Sequence, residues 1–186
     1  QGTREPKILG KGVHKQYGKG LNGFDIVSNQ FSIHYFFENE VKLNNFLRNV
    51  SECCKEGGYF IGTCYDGKRV FNKLRNKEVN ESLVIMQDKR KMWELTKGYS
   101  QTEFLDDESS LNYTISVYQE SINKTFDEFL VNFDYLTRII ENYGFTPLTK
   151  EEAKELGFVS SIGSVELLYN KMNTQIRRNK HNSSKN

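Results

Sequence analysis

The sequence predicts an α/β sheet protein with a β-rich insertion. Three observations carry this prediction. Two short runs of β-formers, 24–28 and 59–65, flank a helical repeat. Further strand-like runs follow over 82–119 with no helix between them, and an apolar stripe at helical spacing covers 126–143.

Residues 24–28 (FDIVS) read as a buried strand. Leu43, Phe46, Leu47, Val50 and Cys54 recur at helical spacing, so 40–55 is expected to be an amphipathic helix closed by Gly57 and Gly58. Residues 59–65 (YFIGTCY) form the second strand, and Asp66 can cap a short helix over 67–74. Strand, helix, strand at this spacing is a βαβ unit, which implies a parallel pair. Two short strands, 82–86 and 92–96, flank a charged turn at 87–91, and 113–119 (YTISVYQ) alternates as another strand. Phe126, Phe129, Leu130, Phe133, Leu136, Ile140 and Tyr143 share one helical face, so 126–143 is expected to be a long helix stopped by Gly144. Thr149 with Glu152 three residues on signals a further short helix. By composition, 1–22 is a glycine-rich linker or loop, 23–172 the folded part, and 173–186 a basic tail expected to be disordered.

The 186 residues suit one domain or most of one, and 37% hydrophobic with 13% aromatic residues argues for a packed core. A net charge of +2 permits an RNA or phosphate partner without demanding one. Three cysteines, with Cys53 and Cys54 adjacent, make neither a disulfide framework nor a metal pair, and read as reduced thiols. His14, His34 and His181 lie far apart with no acidic or thiol ligands at ligand spacing, so no metal site is expected. No apolar run approaches the roughly 18 residues of a membrane span.

The glycines at 10, 12, 18 and 20 lack a preceding hydrophobic strand and fail as a phosphate-binding loop. The cysteines fail as nucleophiles because no base can be placed beside Cys64. What stands out is Gln30, Phe31, His34 and Tyr35, crowded at the end of the first strand, where open α/β sheets bind ligands. A purely structural strand end would more often carry Gly, Asn or Asp. Tyr113 reads equally as packing or as site. Locally, Glu128 reads first as the partner of Thr125 in a capping box on the long helix.

Four phrases decide between these readings: QFSIHYFFE (30–38), LRN (47–49), GGYFIGT (57–63) and EFLVNF (128–133). In this order and spacing they resemble the mRNA cap guanine-N7 methyltransferases of eukaryotes and large DNA viruses. DGKRVFNKL (66–74) and ENYGF (141–145) are most similar to the viral and protist branch. The resemblance covers roughly 23–148. It implies a Rossmann-like class I S-adenosylmethionine-dependent methyltransferase that methylates N7 of the guanosine cap of mRNA.

Carried over by position, the resemblance implies that Gln30, Phe31 and Tyr35 contact S-adenosylmethionine. It implies that Phe31, His34, Tyr35, Tyr113 and Glu128 form the cap-guanine pocket, with Glu128 reading the Watson–Crick edge. It implies no acid or base catalyst; Tyr35 and Glu128 orient the reactants, with room for one flat purine between the strand edge and the carboxylate. The chain lacks a counterpart of the family's glycine-rich donor loop and of its closing strand. It also carries Tyr65 where proline is common and Ile115 where an aromatic is common. These departures predict the second half of the sheet with the donor-binding first half absent, inactive and weak in donor binding when alone. Capped RNA, upstream capping domains or a stimulatory subunit are the expected partners, and nucleus, cytoplasm or a viral factory the expected location. The alternative is a non-catalytic methyltransferase-like subunit that binds or activates a capping partner.

Overall fold

The computed structural model describes residues 18–183. The chain divides into two compact units, one ending at Gly144 and the other starting at Phe145. Most of the glycine-rich stretch expected as a linker lies outside the described residues. From Gly18 to Gly23 the chain makes two successive turns, Leu21 N–H donating to the Gly18 carbonyl and Gly23 N–H to that of Gly20.

In the first unit β1 (Phe24–Gln30) runs parallel to β2 (Cys54–Thr63), as the βαβ reading requires. The crossover is a 3-10 turn, Ile33–Glu38, followed by α1 (Glu40–Cys53). Asn39 caps α1 by accepting from the Lys42 N–H, and Leu43, Phe46, Leu47 and Val50 form its buried stripe. Phe46 stacks on Phe36 at 4.1 Å and meets Phe60 of β2 edge-on at 6.2 Å, which seats the helix on the strand pair.

The two glycines expected to stop α1 do something else. The helix ends at Cys53, Cys54 is already extended, and Gly57 and Gly58 lie within β2. Between the pairs Phe24–Cys54 and Ile26–Tyr59 the register slips, so β2 carries extra residues there. Gly57 takes φ 73°, and a Cβ on Gly58 would sit 2.9 Å from the Lys55 carbonyl oxygen. These glycines therefore serve a bulge, which local sequence cannot distinguish from a helix stop.

After β2, α2 (Gly67–Lys73) starts where Asp66 accepts from the Arg69 N–H at 3.1 Å. Four antiparallel strands follow: β3 (Ser82–Gln87), β4 (Arg90–Lys97), β5 (Thr114–Gln119) and β6 (Lys124–Phe129), ordered β3-β4-β5-β6. Asp88 and Lys89 both take positive φ in the β3–β4 hairpin turn. One sheet face packs on α2. Val70, Phe71 and Leu74 meet Tyr99, Tyr113, Ile115, Val117 and Leu130 in a shared core.

Gly67 is the tightest point of that contact. Its N–H donates to the Val131 carbonyl oxygen at 3.0 Å, and a Cβ would lie 2.3 Å from the same oxygen. Gly67→Ala should therefore cost about 1–3 kcal/mol through forced displacement of backbone. Chemical denaturation checks this; an unchanged midpoint would show that the contact yields freely.

The long helix expected over 126–143 is two elements. Residues up to Phe129 form β6, and α3 (Phe133–Glu141) begins after Asn132, whose side chain accepts from the Asp134 and Tyr135 N–H groups. The Thr125–Glu128 capping box therefore does not exist, because both residues are extended and paired with β5. The apolar spacing misled because Phe126, Phe129 and Leu130 satisfy a helical period while the chain obeys strand pairing. A tight turn with Asn123 at φ 53° folds β6 back on β5.

The second unit holds α4 (Lys150–Glu155), opened by the expected Thr149–Glu152 capping box, and α5 (Val165–Ser183). Helix α5 runs through most of the tail that composition assigns to disorder. Its residues from 165 on contain no Gly or Pro, so intrahelical bonds can continue. Among the described residues, no helix is long and apolar enough to cross a membrane.

Candidate acceptor site

The candidate site forms where β1 ends. Gln30 pairs with Thr63, and their side chains join too, Thr63 Oγ1 donating to Gln30 Oε1 at 2.7 Å. Gln30 Nε2 donates to Ser28 Oγ at 3.0 Å. Phe31 N–H still donates to the Thr63 carbonyl, yet Phe31 takes φ 48°, a left-handed conformation rarely held by a bulky residue. That reversal throws the chain into the 3-10 turn. Because residues three apart eclipse in such a turn, His34 and Phe37 both point inward. Phe31 and Tyr35 stay out, 56% and 44% exposed, with the Tyr35 ring 4.2 Å from the His34 ring.

The turn packs against β6. Glu128 lies there opposite Ile115 of β5, so its side chain rises from the face that packs on α2. His34 Nδ1 is 3.7 Å from Glu128 Oε2, beyond hydrogen-bond reach. Both side chains are buried, and neither His34 nitrogen nor Glu128 Oε2 has a hydrogen-bond partner. Burial disfavours their charged forms, lowering His34 to about 4 and raising Glu128 to about 7. Unpaired polar atoms this deep are costly and call for a partner, whether water or ligand.

The structure thus brings His34, Tyr35 and Glu128 together, with Phe31 and Gln30 on the rim of the same strand end. It places Glu128 on a strand where the sequence suggested a helix. His34 and Glu128, with Nδ1 and Oε2 3.7 Å apart, leave no room for a ring between those two side chains.

Tyr113 is not brought to this group. Its ring is buried against Phe104 at 4.9 Å, Tyr99 at 5.1 Å and Phe71 at 6.2 Å, and its hydroxyl donates to the Glu103 carbonyl at 2.7 Å. A separate concavity of about 310 Å³, lined by Tyr113, Glu103 and Gln101 among others, includes neither His34 nor Glu128.

The sequence marks Tyr65 only as a departure from a common proline and gives no sign of its partner Trp93. Tyr65, just past β2, meets Phe31 edge-on at 6.4 Å and Trp93 of β4 at 5.5 Å. Its hydroxyl accepts from Gln119 Nε2 at 2.7 Å, and Gln119 faces Trp93 across the sheet. Burial first, and the Glu128 charge second, push the Tyr65 phenol up to about 12. Cys64 is likewise pushed up to about 12, chiefly by burial, then by Asp66 and Glu128, so it is a neutral thiol at physiological pH. Only the strand register could place Trp93 and Gln119 here.

Comparison with known proteins sets this geometry in context. The family model described as mRNA (guanine-N(7))-methyltransferase domain matches residues 9–186. A probable mRNA-capping enzyme of Acanthamoeba polyphaga mimivirus is 30% identical over 125 residues, 64% of this chain and 10% of that protein. An mRNA cap guanine-N(7) methyltransferase of Aspergillus fumigatus is 32% identical over 100 residues, 54% of this chain and 15% of that protein. One from Caenorhabditis elegans is 46% identical over 55 residues, 30% of this chain and 14% of that protein. The matched part is thus a small fraction of each relative's length. With nearly its whole length matched by the model, this mixed α/β chain belongs to the mRNA (guanine-N(7))-methyltransferase domain family.

Proposed function

We propose that this chain supplies the acceptor-binding part of an enzyme that methylates N7 of the mRNA cap guanosine, with S-adenosylmethionine as donor. The observation that carries the reading is the buried, unpaired His34–Glu128 pair beside exposed Tyr35 and Phe31. Glu128 offers carboxylate acceptors suited to guanine N1–H and N2–H. Adenine lacks that donor pattern and would leave the carboxylate unpaired. Neutral His34 offers one ring N–H and one acceptor nitrogen, and so can meet either a carbonyl or a hydroxyl of the nucleoside.

Guanine N7 carries a free lone pair and no proton, so the residues need not act as a base. The donor supplies an electrophilic methyl on a sulfonium. Gln30, Phe31 and Tyr35 suit that donor because they form a polar and aromatic rim at the end of a parallel strand, with Phe31 held in a strained turn. What the chain contributes is orientation, and then electrostatics. As positive charge reaches the purine, the Glu128 carboxylate and the Tyr35 face become more favourable neighbours. The Rossmann-like frame, further capping domains or a stimulatory subunit, and a nuclear, cytoplasmic or viral-factory setting belong to the same proposal.

Methyl transfer from labelled S-adenosylmethionine to GpppRNA by the full-length protein is the direct test. Glu128→Ala and Tyr35→Ala should each reduce it by roughly 100-fold or more, while circular dichroism stays native. Near-normal transfer by both variants would end the site assignment.

A further inference from the structure

We infer that Tyr65, braced by Gln119 and Trp93, is the fixed aromatic wall against which the acceptor base lies. The inference deepens the guanine-acceptor reading and rests on it. Phe31 and Tyr65 rise from the neighbouring ends of the parallel pair β1 and β2, where Gln30 and Thr63 are partners. Phe31 is largely exposed, whereas Tyr65 is half-buried and held from two sides. The Gln119 amide holds its hydroxyl, and the Trp93 ring holds its edge at an interplanar angle of 63°. Gln119 and Trp93 are themselves cross-strand partners on adjacent strands, so the brace is part of the sheet.

A ring fixed in this way loses little conformational freedom when a ligand stacks on it, which is what a specific platform requires. Glu128 lies on the same sheet face, with its unpaired oxygen beside His34. A purine edge on Glu128 would then bring the purine face toward Tyr65 and Phe31. Gln119 touches only Tyr65 in this scheme and is a positioning residue.

The chain carries its own reporter, because Trp93 is its sole tryptophan. The probe is the unmethylated dinucleotide GpppG, titrated into the full 186-residue chain by calorimetry and by Trp93 emission. Tyr65→Ala should weaken binding by roughly 5- to 100-fold, the usual effect of losing one base-stacking ring. Tyr65→Phe, which keeps the ring and loses the Gln119 bond, should recover most of the affinity. Gln119→Ala should leave binding detectable but alter the emission change of Trp93.

Wild-type binding with Tyr65→Ala within twofold of it would overturn the role of Tyr65 and leave the acceptor reading standing. No binding by wild type, with the chain folded, would remove both. If Tyr65→Ala fails to fold, the wild-type titration decides. Calorimetric binding with an emission change supports the wall, and binding with Trp93 silent sinks it.

Discussion

Glu128→Gln is expected to stabilise the fold at pH 8 while weakening the guanine binding proposed for this carboxylate. The carboxyl is buried, and burial raises its pKa from 4.5 to about 7. The sign follows from which form the folded state prefers. An unfolded chain ionises the group near 4.5, whereas the native chain holds the proton until about 7. Its contribution is thus fully present below the unfolded value and is lost as pH rises through the folded one. A shift of this size corresponds to a penalty on the order of 3 kcal/mol above pH 7. Glutamine mimics the protonated form and escapes the penalty. The variant should therefore melt several degrees higher at pH 8 and nearly unchanged at pH 4.

The same substitution places an amide N–H₂ where guanine presents its own donors, so binding of GpppG should fall by roughly 100-fold or more. His34 behaves in the opposite sense, because its folded pKa lies below the usual 6.5, at about 4. Its penalty grows as pH falls from 6.5 toward 4, which leaves the alkaline gain assignable to Glu128. Equal melting of wild type and variant at pH 8 would mean that the carboxylate is better solvated than its burial implies. Higher melting together with lost GpppG binding would mark the pair as maintained against stability, as a group kept for a ligand is.

Asn132→Ala should cost about 2–4 kcal/mol, from a lost helix cap and stranded buried partners. Asn132 is fully buried at the junction of β6 and α3. Its Oδ1 accepts from the Asp134 and Tyr135 N–H groups, both at 3.1 Å. Its Nδ2 donates to the Leu105 carbonyl at 2.8 Å and to Asp106 Oδ1 at 3.0 Å. Lys68 completes the cluster by pairing with Asp106 and Asp134. One amide thereby fixes the loop ahead of β5, the start of α3 and the end of the strand that carries Glu128. Asn132→Asp separates the two halves of this role. Aspartate caps as well as asparagine, but it would put an oxygen against the Leu105 carbonyl and the Asp106 carboxylate. Urea unfolding should find the aspartate variant destabilised despite its intact cap. A wild-type midpoint for it would show that the donor side of Asn132 contributes nothing.

The sequence alone determined several local elements and singled out most residues of the candidate site. Hydrophobic period and capping chemistry placed α1, α2 and α4, because those signals act within a few residues, whereas β1 is a strand as expected but an exposed one, not buried. The phrase at 30–38 marked the strand end that holds Gln30, Phe31, His34 and Tyr35. Tertiary structure decided what depended on distant partners. Strand pairing with β5 turned 124–129 from helix to strand, and a bulge claimed Gly57 and Gly58. Core packing took Tyr113, while sheet register delivered Trp93 and Gln119 to Tyr65. These outcomes turn on pairing between residues tens of positions apart, and a single strand of text carries no record of which neighbour a hydrogen bond will choose.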